Sequence, residues 1–129
     1  MKVTRTEQIF LKENETISRM CHLSKNLYNQ ANYILRNQFR KHEKMTGYND
    51  LAKQFSIPSG MEERDNYQKL PAQTAQWTIK KVVQSWSSFF MAVRTWKKHP
   101  DIFKGKPKPP GYRKRDGEYI QYSNLQMVN

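Results

Sequence analysis

Apolar and small residues recur at intervals of three and four along residues 15–41: Ile17, Met20, Cys21, Ser24, Leu27, Tyr28, Ala31, Ile34, Leu35 and Phe39. That spacing gathers them on one stripe of a long helix. Asn14 or Thr16 is placed to cap its start, and Gly47 lies beyond its end. A second stripe runs through residues 71–98: Ala72, Ala75, Ile79, Val82, Val83, Trp86, Phe89, Phe90 and Val93. Pro71 suits the first position of that helix, and His99-Pro100 closes it. Two such stripes predict a pair of antiparallel helices sharing one core. Residues 45–70 are less regular. Asn49 or Asp50 starts a short helix through Leu51, Ala52 and Phe55, which Pro58, Ser59 and Gly60 break.

The flanks carry a different period. Residues 3–11 alternate in part, with Val3, Ile9 and Leu11 against Thr4, Thr6 and Gln8, and this predicts a strand. Tyr119-Ile120-Gln121-Tyr122 alternates likewise and is a candidate partner, because a lone strand is unstable. Between them, Pro107, Pro109 and Pro110 forbid a helix over 103–115 and favour an extended path. The expected class is α+β, a mainly helical lobe inserted between strands of a small, incomplete sheet. The expected organisation is a first strand over 1–13, a helical lobe over 14–100, and a basic proline-rich segment with a returning strand over 101–129.

Charge changes this picture most. The 129 residues hold 23 Lys and Arg against 11 Asp and Glu, a formal charge of +12. Self-repulsion of that size is relieved by a polyanion, and nucleic acid is the first partner to expect. Residues 104–115 hold Lys104, Lys106, Lys108, Arg113, Lys114 and Arg115 with no acid among them. Tyr112, Tyr119 and Tyr122 interleave with these cations, a mixture that fixes phosphates and stacks on bases. Gln73, Gln76, Lys80 and Lys81 line the polar side of the second helix, where Gln matches adenine edges and Lys matches phosphate or guanine.

Other classes drop out. No apolar run approaches the roughly 18 residues that span a bilayer, and no signal core follows Met1, so a cytoplasmic protein is expected. The single Cys21 allows neither a disulfide framework nor a cysteine-based zinc site. His22, His42 and His99 make no ligand spacing, the carboxylates form no catalytic set, and no Gly-rich phosphate loop is present, so neither enzymatic activity nor a cofactor is expected.

Three stretches together resemble a known family: Lys25-Asn26-Leu27-Tyr28-Asn29-Gln30-Ala31-Asn32, then Leu70-Pro71-Ala72-Gln73-Thr74-Ala75-Gln76 with Val83-Gln84-Ser85-Trp86-Ser87-Ser88-Phe89-Phe90, and Phe103 to Tyr112 with its Pro-Lys-Pro-Pro-Gly-Tyr run. They are similar to the N-terminal region of TnpB, the accessory transposase (OrfB) of IS200/IS605 insertion elements. The resemblance implies a wedge-type β-barrel interrupted by a helical recognition lobe that grips a guide RNA and target DNA. The family's acidic nuclease residues and zinc module lie beyond this region. The implied chain is therefore a fragment of an RNA-guided nuclease, or a reduced relative, that binds and does not cut. The alternatives are a free-standing helical DNA-binding repressor and a basic protein-interaction domain.

Overall fold

The computed structural model describes residues 5–114, and every regular element among them is helical. Helix α1 spans Arg5–Arg40, α2 Tyr48–Ser56, α3 Asn66–Lys69 and α4 Ala72–Lys98, with single 3-10 turns at Glu62–Arg64 and Pro100–Ile102. The second long helix falls where its apolar stripe places it, one residue after Pro71.

The expected first strand is corrected. Residues 5–11 belong to α1, which passes Asn14 and Thr16 without a break. No Gly or Pro occurs before Gly47, and Glu7, Gln8, Leu11, Lys12, Glu13 and Glu15 are good helix formers. Extending an existing helix costs little once its nucleus has formed, so the short alternation of 3–11 is overridden. The proposed returning strand at 119–122 lies outside the described residues. Among the described residues there is no strand, so the α+β class and the wedge-type barrel are both overturned.

The pairing of the two long helices is also corrected, from antiparallel to parallel. Ser24 Oγ meets Thr78 Oγ1 at 3.0 Å, the Tyr28 hydroxyl donates to Ser85 Oγ at 3.2 Å, and Trp86 Nε1 donates to Asn32 Oδ1 at 2.8 Å. Farther along, the Phe39 ring lies 6.0 Å from Phe90. Partner numbers rise together on both helices, so both run the same way. Short loops force helical neighbours to be antiparallel. Here the connection over 41–71 is long enough to carry the chain back, and its α2 and α3 pack on the pair as they return it.

The core lies along this seam. Leu27, Leu35, Leu51, Ile79 and Val82 are fully buried, each stabilising the fold by roughly 1.5–3 kcal/mol. Where the C-terminal end of α1 meets the middle of α4, Phe39, Trp86, Phe89 and Phe90 form a cluster with edge-on Phe39–Phe89 and Trp86–Phe89 pairs. Ile17, expected on the stripe, is exposed instead.

Helix α1 ends before Gly47. His42 adopts φ 56°, its N–H bonds the Phe39 carbonyl, and the Glu43 N–H bonds the Gln38 carbonyl at 2.9 Å. This is a Schellman closure with a non-glycine residue in the left-handed region. That conformation costs an L-residue roughly 1–2 kcal/mol. His42→Gly is therefore expected to raise the stability measured by urea unfolding by about 1 kcal/mol, after the entropy it adds to the unfolded chain.

Candidate nucleic-acid interface

The proline-rich segment over 103–114 is strapped to α1 through its backbone. Proline has no N–H, so Pro107, Pro109 and Pro110 leave the middle of this stretch offering chiefly carbonyl groups. Asn32 Nδ2 donates to the carbonyls of Pro110 and Gly111, each at 3.2 Å, and an Arg36 guanidinium N–H donates to Pro110 at 2.6 Å. Asn29 donates to the Arg113 carbonyl at 2.9 Å and accepts from the Arg113 N–H at 2.8 Å, pairing as a neighbouring strand would. Asn29, Asn32 and Arg36, at i, i+3 and i+7, share one face of α1. Two cation–π contacts reinforce the strap: Arg113 lies 4.0 Å from the Tyr28 ring centre and Arg36 lies 5.3 Å from that of Tyr112.

Helix α4 contributes the other half of the surface. It contains Lys80, Lys81, Arg94, Lys97 and Lys98 and no acid. Gln73, Gln76, Lys80, Gln84, Met91, Arg94 and Lys98 are all exposed, and their spacing sets them on the side turned away from the core. Lys80 lies over the rings of Tyr48 and Trp77, at 5.6 and 5.5 Å. Between α4 and the strap runs an open groove of about 590 Å³, lined by Tyr28, Lys81, Gln84, Ser88 and Lys108 among others, with no carboxylate in its lining. Burial in the groove, and then the nearby Arg113, hold the Lys81 ammonium below the ordinary lysine value.

The residues expected from sequence thus fall into distinct settings. Gln73, Gln76 and Lys80 sit on the exposed side of α4, and Lys81 is half-buried in the groove. Lys104, Lys106, Lys108 and Lys114 are exposed along the strap, with Lys106 over Trp96 at 5.8 Å. Tyr112 and Arg113 are the strap's anchors onto α1, and Arg113 is half-buried there while Tyr112 stays exposed. Arg115, Tyr119 and Tyr122 lie outside the described residues.

Sequence reasoning missed the α1 side chains that build this surface. Asn32 is fully buried inside an otherwise apolar stripe, where it bonds both Trp86 and the strap. The signal was the three-residue recurrence Asn26, Asn29, Asn32 next to Tyr28 and Ala31, since a polar residue on a core stripe requires a specific partner.

Among the described residues no three His, Cys, Asp or Glu side chains come together as a metal site, and no helix is long and apolar enough to cross a membrane. The chain matches no family model, no curated protein and no solved structure. The TnpB resemblance, already without its barrel, is not supported by any match. The guide-RNA grip, the IS200/IS605 transposition role and the RNA-guided nuclease parentage expected from it are withdrawn with it.

Proposed function

We propose that the chain is a helical nucleic-acid-binding domain that holds phosphates along the outer side of α4 and the adjoining strap. One observation carries this reading. From Asn66 to Lys114 there are eleven Lys and Arg and a single acid, Asp101, while residues 5–65 hold ten basic and eight acidic residues. A surface that only needed solubility would mix its signs as the first half does. Concentrating like charges costs self-repulsion, which phosphates relieve by releasing counterions. Exposed Gln73, Gln76 and Trp77 beside Lys80 supply groups that meet bases as well as phosphates.

The role is binding without catalysis, in the cytoplasm, with RNA or DNA as partner. The test is fluorescence anisotropy with labelled oligonucleotides between 50 and 500 mM salt. Four phosphate contacts predict a loss of affinity of roughly a thousandfold across that range. A flat salt response would contradict the reading. Incubation of the purified chain with the same oligonucleotides and Mg²⁺ is expected to leave them intact, and metal-dependent cleavage would contradict the non-catalytic role.

A further inference from the structure

A second concave surface lies on the other side of the strap from the α4 groove. It measures about 800 Å³ and is bordered by α1, the end of α2, the 3-10 turn at Glu62–Arg64 and Tyr112. Two features set it apart. Tyr33 and Tyr112 both line it and both are open to solvent, at 59% and 42% exposure. Apart from Arg64, the remaining polar lining is side-chain amides, and three of them, Asn26, Gln30 and Asn66, are linked to one another. Asn66, only 4% exposed, donates to Gln30 Oε1 at 3.0 Å and accepts from Asn26 Nδ2 at 3.5 Å. Gln30 in turn donates to the Arg64 carbonyl at 2.9 Å.

We infer that this pocket captures an unpaired nucleobase of single-stranded RNA or DNA, with Tyr33 and Tyr112 as stacking surfaces and the amide row of Asn26 and Gln30 facing the base edge. The inference rests on the nucleic-acid reading above. Exposed rings beside pre-oriented amides are what base recognition requires: every base has a stacking face, and an amide carries both donor and acceptor. Immobilised amides lose little entropy when a base pairs with them. The exposed Arg64 lines the pocket and offers a partner to a phosphate of a captured nucleotide, while Arg36 lies over the Tyr112 ring and helps to fix it. Tyr112 and Lys114 are two residues apart, so a strand leaving the pocket meets the basic strap directly. A base inside a duplex cannot enter without leaving its stack, which makes the site selective for single strands.

The test compares Tyr33→Ala with the unaltered protein on a labelled single-stranded 20-mer and on the duplex of the same sequence, with RNA and DNA versions of each. Tyr33 is exposed, so the variant keeps the core intact, which far-UV circular dichroism checks. Loss of one stacked base predicts a drop of about 5- to 100-fold on single strands. Duplex affinity and the salt slope should stay unchanged, and Tyr33→Trp should restore single-strand binding. Equal losses on single strand and duplex, or no loss on either, would overturn the pocket while leaving salt-dependent binding in place. Absence of salt-dependent binding by the unaltered protein would overturn the nucleic-acid reading, and the pocket with it.

Discussion

Asn32→Leu should destabilise the protein by about 3 kcal/mol and release the strap, although leucine shares the branched shape of asparagine and the position is fully buried. The amide is shared three ways. Its oxygen accepts from the buried Trp86 Nε1 at 2.8 Å, and its nitrogen serves the carbonyls of Pro110 and Gly111. Leucine would leave the indole N–H unpaired inside the core, which alone costs about 1–3 kcal/mol. It would also leave two strap carbonyls without that donor, so that Asn29, Arg36 and the Arg113–Tyr28 contact would have to hold the segment to α1. Two readouts separate these effects. Urea unfolding should show the stability loss, and limited trypsin digestion should show faster cleavage between Lys104 and Lys114. A change below about 0.5 kcal/mol, the range of ordinary surface substitutions, with no change in proteolysis, would mean that the strap is not docked through Asn32.

The second large effect concerns binding. Replacing Lys80, Lys108 and Lys114 together by Gln should lower nucleic-acid affinity about 10²-fold near physiological salt, because each lost phosphate contact removes roughly 0.9 from the log–log salt slope. The slope should fall by about 2.7 on a duplex for three contacts. Stability should change little, since all three side chains are exposed. Lys80 gives up its contacts with Tyr48 and Trp77, worth about 0.5–1 kcal/mol at an exposed site. The matched control replaces Lys41, Lys44 and Lys53, exposed residues just after α1 and in the last turn of α2, none of which lines the groove beside the strap. That triple lowers the net charge by the same amount and should cost far less affinity. Equal losses from both triples would show a diffuse polycation rather than a binding face.

The helical elements were legible from periodicity because their apolar positions are many and local. Leu27, Leu35, Ile79, Val82 and Trp86 all lie on the expected stripes. Helix direction was not legible, since a stripe identifies which side is buried and says nothing about which way the partner runs. The order of the pairs Ser24–Thr78, Tyr28–Ser85 and Asn32–Trp86 settles that question, and Thr78, Ser85 and Asn32 are polar residues outside the predicted stripes. The strand expected at 3–11 failed for a different reason. A few alternating residues carry less weight than an unbroken run of helix formers joined to an established helix. Of the candidate site, the cations were visible as a charge run, and Gln73, Gln76 and Lys80 as a polar side. The docking of Tyr112 and Arg113 was hidden, because it depends on Asn29, Asn32 and Arg36, seventy or more residues earlier in the chain. The Tyr33 pocket was hidden for the same reason, as its members come from α1, α2, the turn before α3, the first residue of α3 and the strap.

The central claim is that nucleic acid lies on α4 and the strap. Backbone amide shifts, followed by NMR while a single-stranded oligonucleotide is titrated in at low salt, test it most directly. The largest changes are expected at Gln73, Gln76, Lys80, Gln84 and along residues 104–114, with a second group at Tyr33, Asn26 and the other pocket residues Phe55 and Arg64, and little change at Lys41 and Lys44. Changes confined to α2 and the segment after it, or spread evenly over every lysine, would contradict it.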